Sequence, residues 1–461
     1  MSIGKIHADA SSLNRISREA ANPVALWQML LILLLLLQFI PLFSAILTGR
    51  FETTQDANDA SGSTVLQVIS VAMFLGSVTV ARLSNVSIRQ FLAAVAPVAL
   101  MLFWIFASIT WSHYPDLTAK RGIRISIEIA TIVLLALSAP NTTSVLRILF
   151  LTFVFINILD LGSLFFPAFS ESPIGFAGVH IHKNSAGTFF FLAIPIFGIG
   201  LVNPLVSRLR TVAAFSFFTA SAMLAITLSK SAIGISILSL AFVALLRALY
   251  VLHGFRRAVL EIILVLCAAC IVLMVANYGL DESLDLVFGD SKLTGRDQIW
   301  RFLWYLIGKS PLLGAGYGAV WQTGPQIDSM VAYTGATWVP NEGHNGYLDI
   351  LAQLGFIGMG FLVCFLVIIF RRLGQYARLT TRHPGVGFEE YALYILFGAL
   401  IYNITESSFF RSGQEVWFML IFVATSASVA LTTHRLRQVT METEAQPSIW
   451  HQNVAPKNPF P

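Results

Sequence analysis

The sequence predicts an all-α polytopic membrane protein with about twelve transmembrane helices, and three observations carry that prediction. Of its 461 residues, 56% are hydrophobic and only 11% are charged, with a mean hydropathy of +0.74. A soluble domain carries about 25% charged residues. Apolar stretches long enough to cross a bilayer recur along the chain. Lys and Arg gather in alternate connecting segments. The formal charge of +5 therefore reports topology and does not point to nucleic acid as a partner.

The first 23 residues are polar. The run LWQMLLILLLLLQFIPLFSAIL follows. It is too long for a signal-peptide core, lacks a convincing cleavage site and reads as an uncleaved first span. Spans are expected near 24–47, 64–81, 91–110, 123–139, 145–166, 185–202, 209–228, 231–251, 258–278, 346–370, 391–404 and 415–432. Spans one to nine thus occupy 24–278, and a long connecting segment covers 279–345. Spans ten to twelve occupy 346–432, and a polar tail without periodicity runs over 433–461. Only Ser229 and Lys230 separate spans seven and eight, which implies a tight turn. Cys267, Cys270 and Cys364 lie in apolar runs with neither disulfide nor metal-ligand spacing, so they read as small buried hydrophobes.

With the N-terminus inside, every cytoplasmic segment receives at least one basic residue. Both termini then lie in the cytoplasm, and 279–345 lies outside as a large extracytoplasmic loop. The basic residues left on the outer side are Arg50, Lys120, Arg121, Arg124, Lys183, Lys230, Lys292, Arg296, Arg301, Lys309 and Arg411. They oppose the insertion bias, and many sit where a helix end could let them snorkel. Their recurrence at the outer ends of different spans points to a shared anionic ligand, with phosphate or diphosphate the natural candidate.

The long loop has local structure of its own. Thr294 can cap a helix whose Asp297 reaches back, and Gly308 and Pro311 end it. Trp300 and Trp304 lie one turn apart, as in an interfacial helix or a packed lid. Arg296 in the first turn is disfavoured by the helix dipole, which hints that it faces an anion. The glycines of PLLGAGYGAV suit a tight return toward the membrane rather than a nucleotide loop. In NEGHNGYL, Asn345 can cap span ten, with His344 just outside the first turn and Glu342 beside it. A histidine here is a candidate for chemistry at the membrane surface.

Four segments resemble one family. HNGYLDILAQLGFIG, from His344, resembles the histidine signature of the O-antigen ligase and Wzy-type polysaccharide polymerase superfamily. TGRDQIW from Thr294, followed by SPLLGAGYG from Ser310, is similar to the block preceding that histidine. LSKSA from Leu228 is similar to the family's basic turn between two spans. GVHIHKNSAG from Gly178 resembles a segment of its exopolysaccharide polymerase branch.

The resemblance implies a GT-C-like integral-membrane glycosyltransferase of the bacterial inner membrane. It implies a glycan donor carried on undecaprenyl diphosphate, no cofactor and no metal, and a chain-length regulator and a flippase as partners. Carried over position by position, it assigns diphosphate binding to Arg296 and Lys230, where ligases commonly have Arg at the turn. Lys183, Arg121 and Arg124 join them as outer basic residues. His344 is the candidate base, with Glu342 the second candidate. Asn345, His182 and Trp300 are candidate acceptor or sugar contacts. Three readings stay open: a polymerase joining oligosaccharide repeat units, a ligase moving finished glycan onto a lipid A core, and a transporter of lipid-linked glycan. The few expected intramembrane charges, Glu128, Asp160 and Glu261, weigh against the transporter.

Overall fold

A computed structural model describes residues 23–37, 64–172, 175–180, 182–251, 254, 259, 296–321, 333, 340–380 and 386–445. Span nine near 258–278 apart from residue 259, with its Glu261, Cys267 and Cys270, and Arg50, Lys292 and Thr294 lie outside the described residues. The architecture is almost wholly helical. In chain order the helices are α1 (Pro23–Leu37), α2 (Thr64–Leu83), α3 (Ile88–Ala107), α4 (Pro115–Leu137) and α5 (Thr142–Ser163). They continue as α6 (Lys183–Val202), α7 (Arg210–Ile226), α8 (Lys230–Val251), α9 (Arg296–Lys309), α10 (Gly346–Thr380), α11 (Phe388–Thr405) and α12 (Glu415–Ala445). Among the described residues, six segments are long and apolar enough to cross a membrane: Ile88–Thr110, Thr142–Ser163, Lys183–Val202, Lys230–Leu249, Gly346–Leu379 and Glu415–His434. Gln67–Leu83 and Arg210–Ile226 are shorter apolar helices.

Local sequence explains the helix starts. Ser87 and Gln90 form a reciprocal capping box at α3. Asn141 caps α5 and Pro115 opens α4. The expected tight turn between α7 and α8 is Thr227–Ser229, with Leu228 in the left-handed region at φ 54°.

The core lies where α6, α11 and α12 pack. Phe191 stacks on Tyr394 at 5.0 Å, and Trp417 meets Phe410 at 4.4 Å and Phe365 at 5.5 Å. Phe190, Phe197, Trp417, Phe418 and Phe422 are fully buried. In a bilayer such packing replaces the hydrophobic drive that water supplies to soluble cores.

Two buried carboxylates anchor connecting segments. Asp160 accepts the Val179 N–H at 3.0 Å and lies 3.3 Å from His180 Nε2. Glu128 accepts the Gly413 N–H at 3.1 Å. Both tie a loop to the bundle. The short ribbon pairing Glu171 with Phe176 and Ser172 with Gly175 completes the connector that delivers α6.

Helix α10 departs from a single expected span. At Gly355 the backbone is non-helical, with φ 67° and ψ −171°. Residues 310–316 cross the helix at this break. Ala315 and Gly316 N–H groups donate to the Ala352 and Gln353 carbonyls, both at 2.9 Å. The Phe356 N–H donates to the Pro311 carbonyl at 2.8 Å and Ile357 to Leu312 at 3.3 Å. Trp104 Nε1 donates to the Leu354 carbonyl at 3.0 Å. The break is tolerable because these five freed groups find protein partners. An unsatisfied backbone group in lipid costs several kcal/mol. A Cβ at Gly355 would lie 2.2 Å from the Leu312 carbonyl oxygen, and one at Gly314 would lie 2.4 Å from the Gln353 backbone. The glycines of 310–318 therefore do allow a close return of the chain, and its target is the backbone of α10.

The N-terminal piece of α10 belongs to a second, smaller apolar cluster. Leu348, Leu351 and Ala352 pack with Ile299, Phe302, Leu303 and Ile307 of α9 and with Val320 and Trp321. Helix α9 is therefore a packed element. Its opposite face leaves Trp304 and Tyr305 exposed.

Candidate functional site

The starts of α6, α8, α9, α10 and α12 and the ends of α5 and α11 meet at one end of the bundle. This is the end that the charge pattern assigns to the outside. At its centre is Glu406, which follows the last residue of α11 and is 6% exposed.

The segment carrying His344 is fixed on both sides. Asn345 caps α10, its Oδ1 accepting the Tyr347 and Leu348 N–H groups at 3.1 Å each. Its own N–H donates to Ser407 Oγ at 3.0 Å, and Gly346 N–H donates to the Glu406 carbonyl at 3.1 Å. Trp300 Nε1 donates to the Gly343 carbonyl at 3.0 Å. Gly343 N–H donates to Asp349 Oδ2 at 3.1 Å, while Asp349 Oδ1 accepts from Trp321 Nε1 at 2.7 Å. These bonds hold His344 at φ 45°, a left-handed conformation that costs a non-glycine residue of order 1–3 kcal/mol.

The His344 ring is oriented by carboxylates. Nδ1 lies 2.8 Å from Glu406 Oε2 and 3.3 Å from Glu342 Oε1. A carboxylate only accepts, so Nδ1 carries a proton, and when the ring is neutral Nε2 presents its lone pair. Arg296 Nη2 donates to Glu406 Oε1 at 2.9 Å, so the anion that Arg296 faces in this structure is a carboxylate of the chain itself. Arg411 pairs with Glu342 through Oε2 and donates to the Asn341 carbonyl at 3.4 Å. Burial alone would raise the Glu406 pKa. The His344 hydrogen bond, the Arg296 charge and the charge that His344 and His182 carry when protonated outweigh it and hold the carboxyl below its ordinary value.

Two more motifs reach the same carboxylate. Asn184, in the first turn of α6, donates from Nδ2 to Glu406 Oε1 at 3.2 Å. Its Oδ1 accepts from Ser229 Oγ at 3.1 Å, in the turn before α8. His182 caps α6, its Nδ1 accepting the Asn184 N–H at 3.2 Å. Burial, the largest influence, lowers the His182 pKa. Glu406 opposes this, and Lys183 and His344 add to it. Lys230 is exposed at the start of α8, and Lys183 is half-buried beside His182.

Other predicted residues are engaged in the fold. Arg121 Nη1 donates to the Gly318 and Trp321 carbonyls and braces the glycine loop. Gly318 N–H also donates to Gln353 Oε1 at 2.7 Å, and Tyr317 Oη to the Phe410 carbonyl at 2.7 Å. Arg124 is exposed. The Asn345 side chain is taken up by capping and by the Ile404 carbonyl, and the Trp300 N–H by Gly343. Of the predicted set, the structure gathers Arg296, His344, Glu342 and His182 around Glu406. Glu406 was not anticipated. A carboxylate at the outer end of a span, within a ring of outer basic residues, was the available signal.

Glu342, His344 and Glu406 can each offer one ligand atom within 4.8 Å of the others, enough in number for a metal ion. Two guanidiniums already hold the same carboxylates, so two negative charges meet two positive ones. A divalent cation would have to displace Arg296 or Arg411 from these carboxylates, so the group as folded is a poor fit for a metal.

Comparison with known proteins bears on three of the four motifs, those of residues 228–232, 294–318 and 344–358. Residues 215–377 match the family model described as Wzy_C, O-Antigen ligase. The Exopolysaccharide production protein ExoQ of Rhizobium meliloti is 28% identical over 295 residues, covering 60% of this chain and 65% of that protein. A protein of Rickettsia conorii named, provisionally, as a polysaccharide ligase is 28% identical over 126 residues, 27% of this chain and 29% of its own. A similarly named protein of Rickettsia felis is 27% identical over 126 residues. The chain spans less than two thirds of the length of these relatives. The matched region contains Ser229, Lys230, Arg296 and His344, so this part of the chain is similar to the O-antigen ligase and Wzy-type superfamily, and an exopolysaccharide production protein stands among the relatives.

Proposed function

We propose that this chain is an integral-membrane glycosyltransferase that joins polyprenyl-diphosphate-linked oligosaccharide repeat units on the outer face of a bacterial inner membrane. One observation carries the reading. A histidine is held through Nδ1 by a carboxylate, which leaves Nε2 as the acceptor of the neutral ring, within a cluster of basic residues.

The reaction needs no separate activation, because the carrier diphosphate is itself the leaving group. An acceptor hydroxyl attacks the anomeric carbon and the bond to the diphosphate oxygen breaks. The diphosphate departs with the electron pair, and the hydroxyl proton passes to His344 Nε2. Glu406 holds the tautomer and faces the ring as it gains charge, in the manner of a carboxylate behind a catalytic histidine. Glu342 has the second place beside Nδ1, and its pairing with Arg411 makes it an orienting group rather than the base. Lys230, Lys183 and Arg296 supply positive charge to the departing diphosphate.

The test is transfer by the purified protein in lipid vesicles containing a polyprenyl-diphosphate-linked repeat unit. Longer lipid-linked glycan and free carrier diphosphate are expected. His344→Ala and Arg296→Ala should abolish both while leaving the protein folded. Normal polymer from both variants would overturn the reading. The provisional name of the rickettsial relatives favours a ligase as the second reading. The product separates the two: loss of a polymerase leaves single repeats, whereas loss of a ligase leaves long unattached polymer.

A further inference from the structure

The site contains a second histidine whose ring is set in the opposite sense to His344, and the difference lies in what each Nδ1 meets. His344 Nδ1 meets a carboxylate oxygen, which only accepts, so the proton is on Nδ1 and Nε2 is an acceptor. His182 Nδ1 meets the Asn184 backbone N–H, which only donates, so Nδ1 is bare and the proton is on Nε2. Nothing else in the chain is needed to fix these two tautomers. They are set by backbone and carboxylate positions that the fold itself dictates.

The two rings share one neighbourhood. Asn184, whose N–H fixes His182, also donates to Glu406 Oε1, and Glu406 Oε2 fixes His344. One carboxylate therefore ties both histidines together across the starts of α6 and α10. The His182 ring is half-buried, and its Nε2 has no protein partner among the described residues. The groups facing the ring are Lys183 from its own helix, Glu406 from the end of α11 and His344 from the start of α10. Burial favours the uncharged ring, so the Nε2–H is a fixed neutral donor.

We propose that His182 is a positioning and electrostatic residue of the transfer reaction, its Nε2–H donating a hydrogen bond to an oxygen of the departing diphosphate while His344 Nε2 accepts the proton of the incoming hydroxyl. The proposal rests on the transferase reading above. His182 keeps its proton throughout. Its hydrogen bond shortens as negative charge builds on the diphosphate oxygen, so it stabilises the transition state more than the bound substrate. One histidine thus serves bond breaking and the other serves bond making. The lysines of the same end of the bundle, Lys183 and Lys230, add charge without the fixed direction that a neutral imidazole supplies.

The decisive variant is His182→Asn. An asparagine Oδ1 falls near the position of the histidine Nδ1, so it can still accept the Asn184 N–H and cap α6, but it carries no donor at the Nε2 position. In vesicles with polyprenyl-diphosphate-linked repeat units, kcat should fall about 100-fold with KM little changed, as for loss of one oxyanion donor. Thermal stability should stay at the wild-type value. Wild-type kcat in His182→Asn overturns the proposal, and so does a loss of activity matched by a loss of stability. A wild-type protein that transfers nothing, or a fully active His344→Ala, instead overturns the transferase reading.

Discussion

The two pieces of α10 are one apolar run in the sequence and two different objects in the structure. Residues 346–354 pack on α9 and carry His344 at their head, with Asp349 and Gln353 bonded to loop groups. Residues 356–380 form the long apolar piece, with Phe356, Val363, Val367 and Phe370 exposed as a lipid-facing side requires. A helix that only crosses a membrane can slide or tilt with its lipid. One broken at Gly355 and clasped by residues 310–316 separates the crossing from the positioning, so the site keeps its geometry while the span adjusts.

Three substitutions break or sharpen that contrast. The largest effect is expected from Gly355→Val. The added side chain meets the Leu312 carbonyl in a conformation that β-branched residues avoid, so the clasp cannot form. Folded protein recovered in detergent should be lost, whereas the same change at Gly360, which faces open space, should be tolerated.

Glu406→Gln comes next. It removes the carboxylate from His344 and leaves Arg296 without its counter-ion, and transfer should fall about 100-fold. Because the folded carboxyl sits below its ordinary pKa, its contribution to stability is complete above about pH 4.3 and is lost as pH falls through the lower folded value. Thermal melts of wild type and variant should therefore differ at neutral pH and converge only in acid. Convergence already near pH 6 would contradict the carboxylate assignment.

The smallest effect is expected from Asn345→Ala, which removes the cap of the positioning piece at about 1 kcal/mol. Activity should fall more than stability, because His344 is the adjacent residue.

Much of this was legible in sequence. Asn345 as a cap, the turn around Ser229, Arg296 facing an anion and the glycines as a tight return all follow from short-range rules. The break in α10 was not legible, because a glycine inside an apolar helical run is ordinarily tolerated. Only the chain crossing it from residues 310–316 shows that it is a joint. Glu406 was hidden for a related reason. It lies in a short polar turn with no local pattern, and its role comes from partners such as Asn184, 222 positions away. The identity of Arg296's anion was likewise a matter of packing.

That long reach has a consequence for how the protein is made. A nascent chain that has inserted everything through α10 already contains the histidines, Arg296 and the basic turn, but it lacks the one carboxylate that joins them. Residue 406 emerges only after α11, later than all of these partners. Assembly of the centre therefore waits for α11, and a chain stalled before it sits in the membrane without the carboxylate cluster.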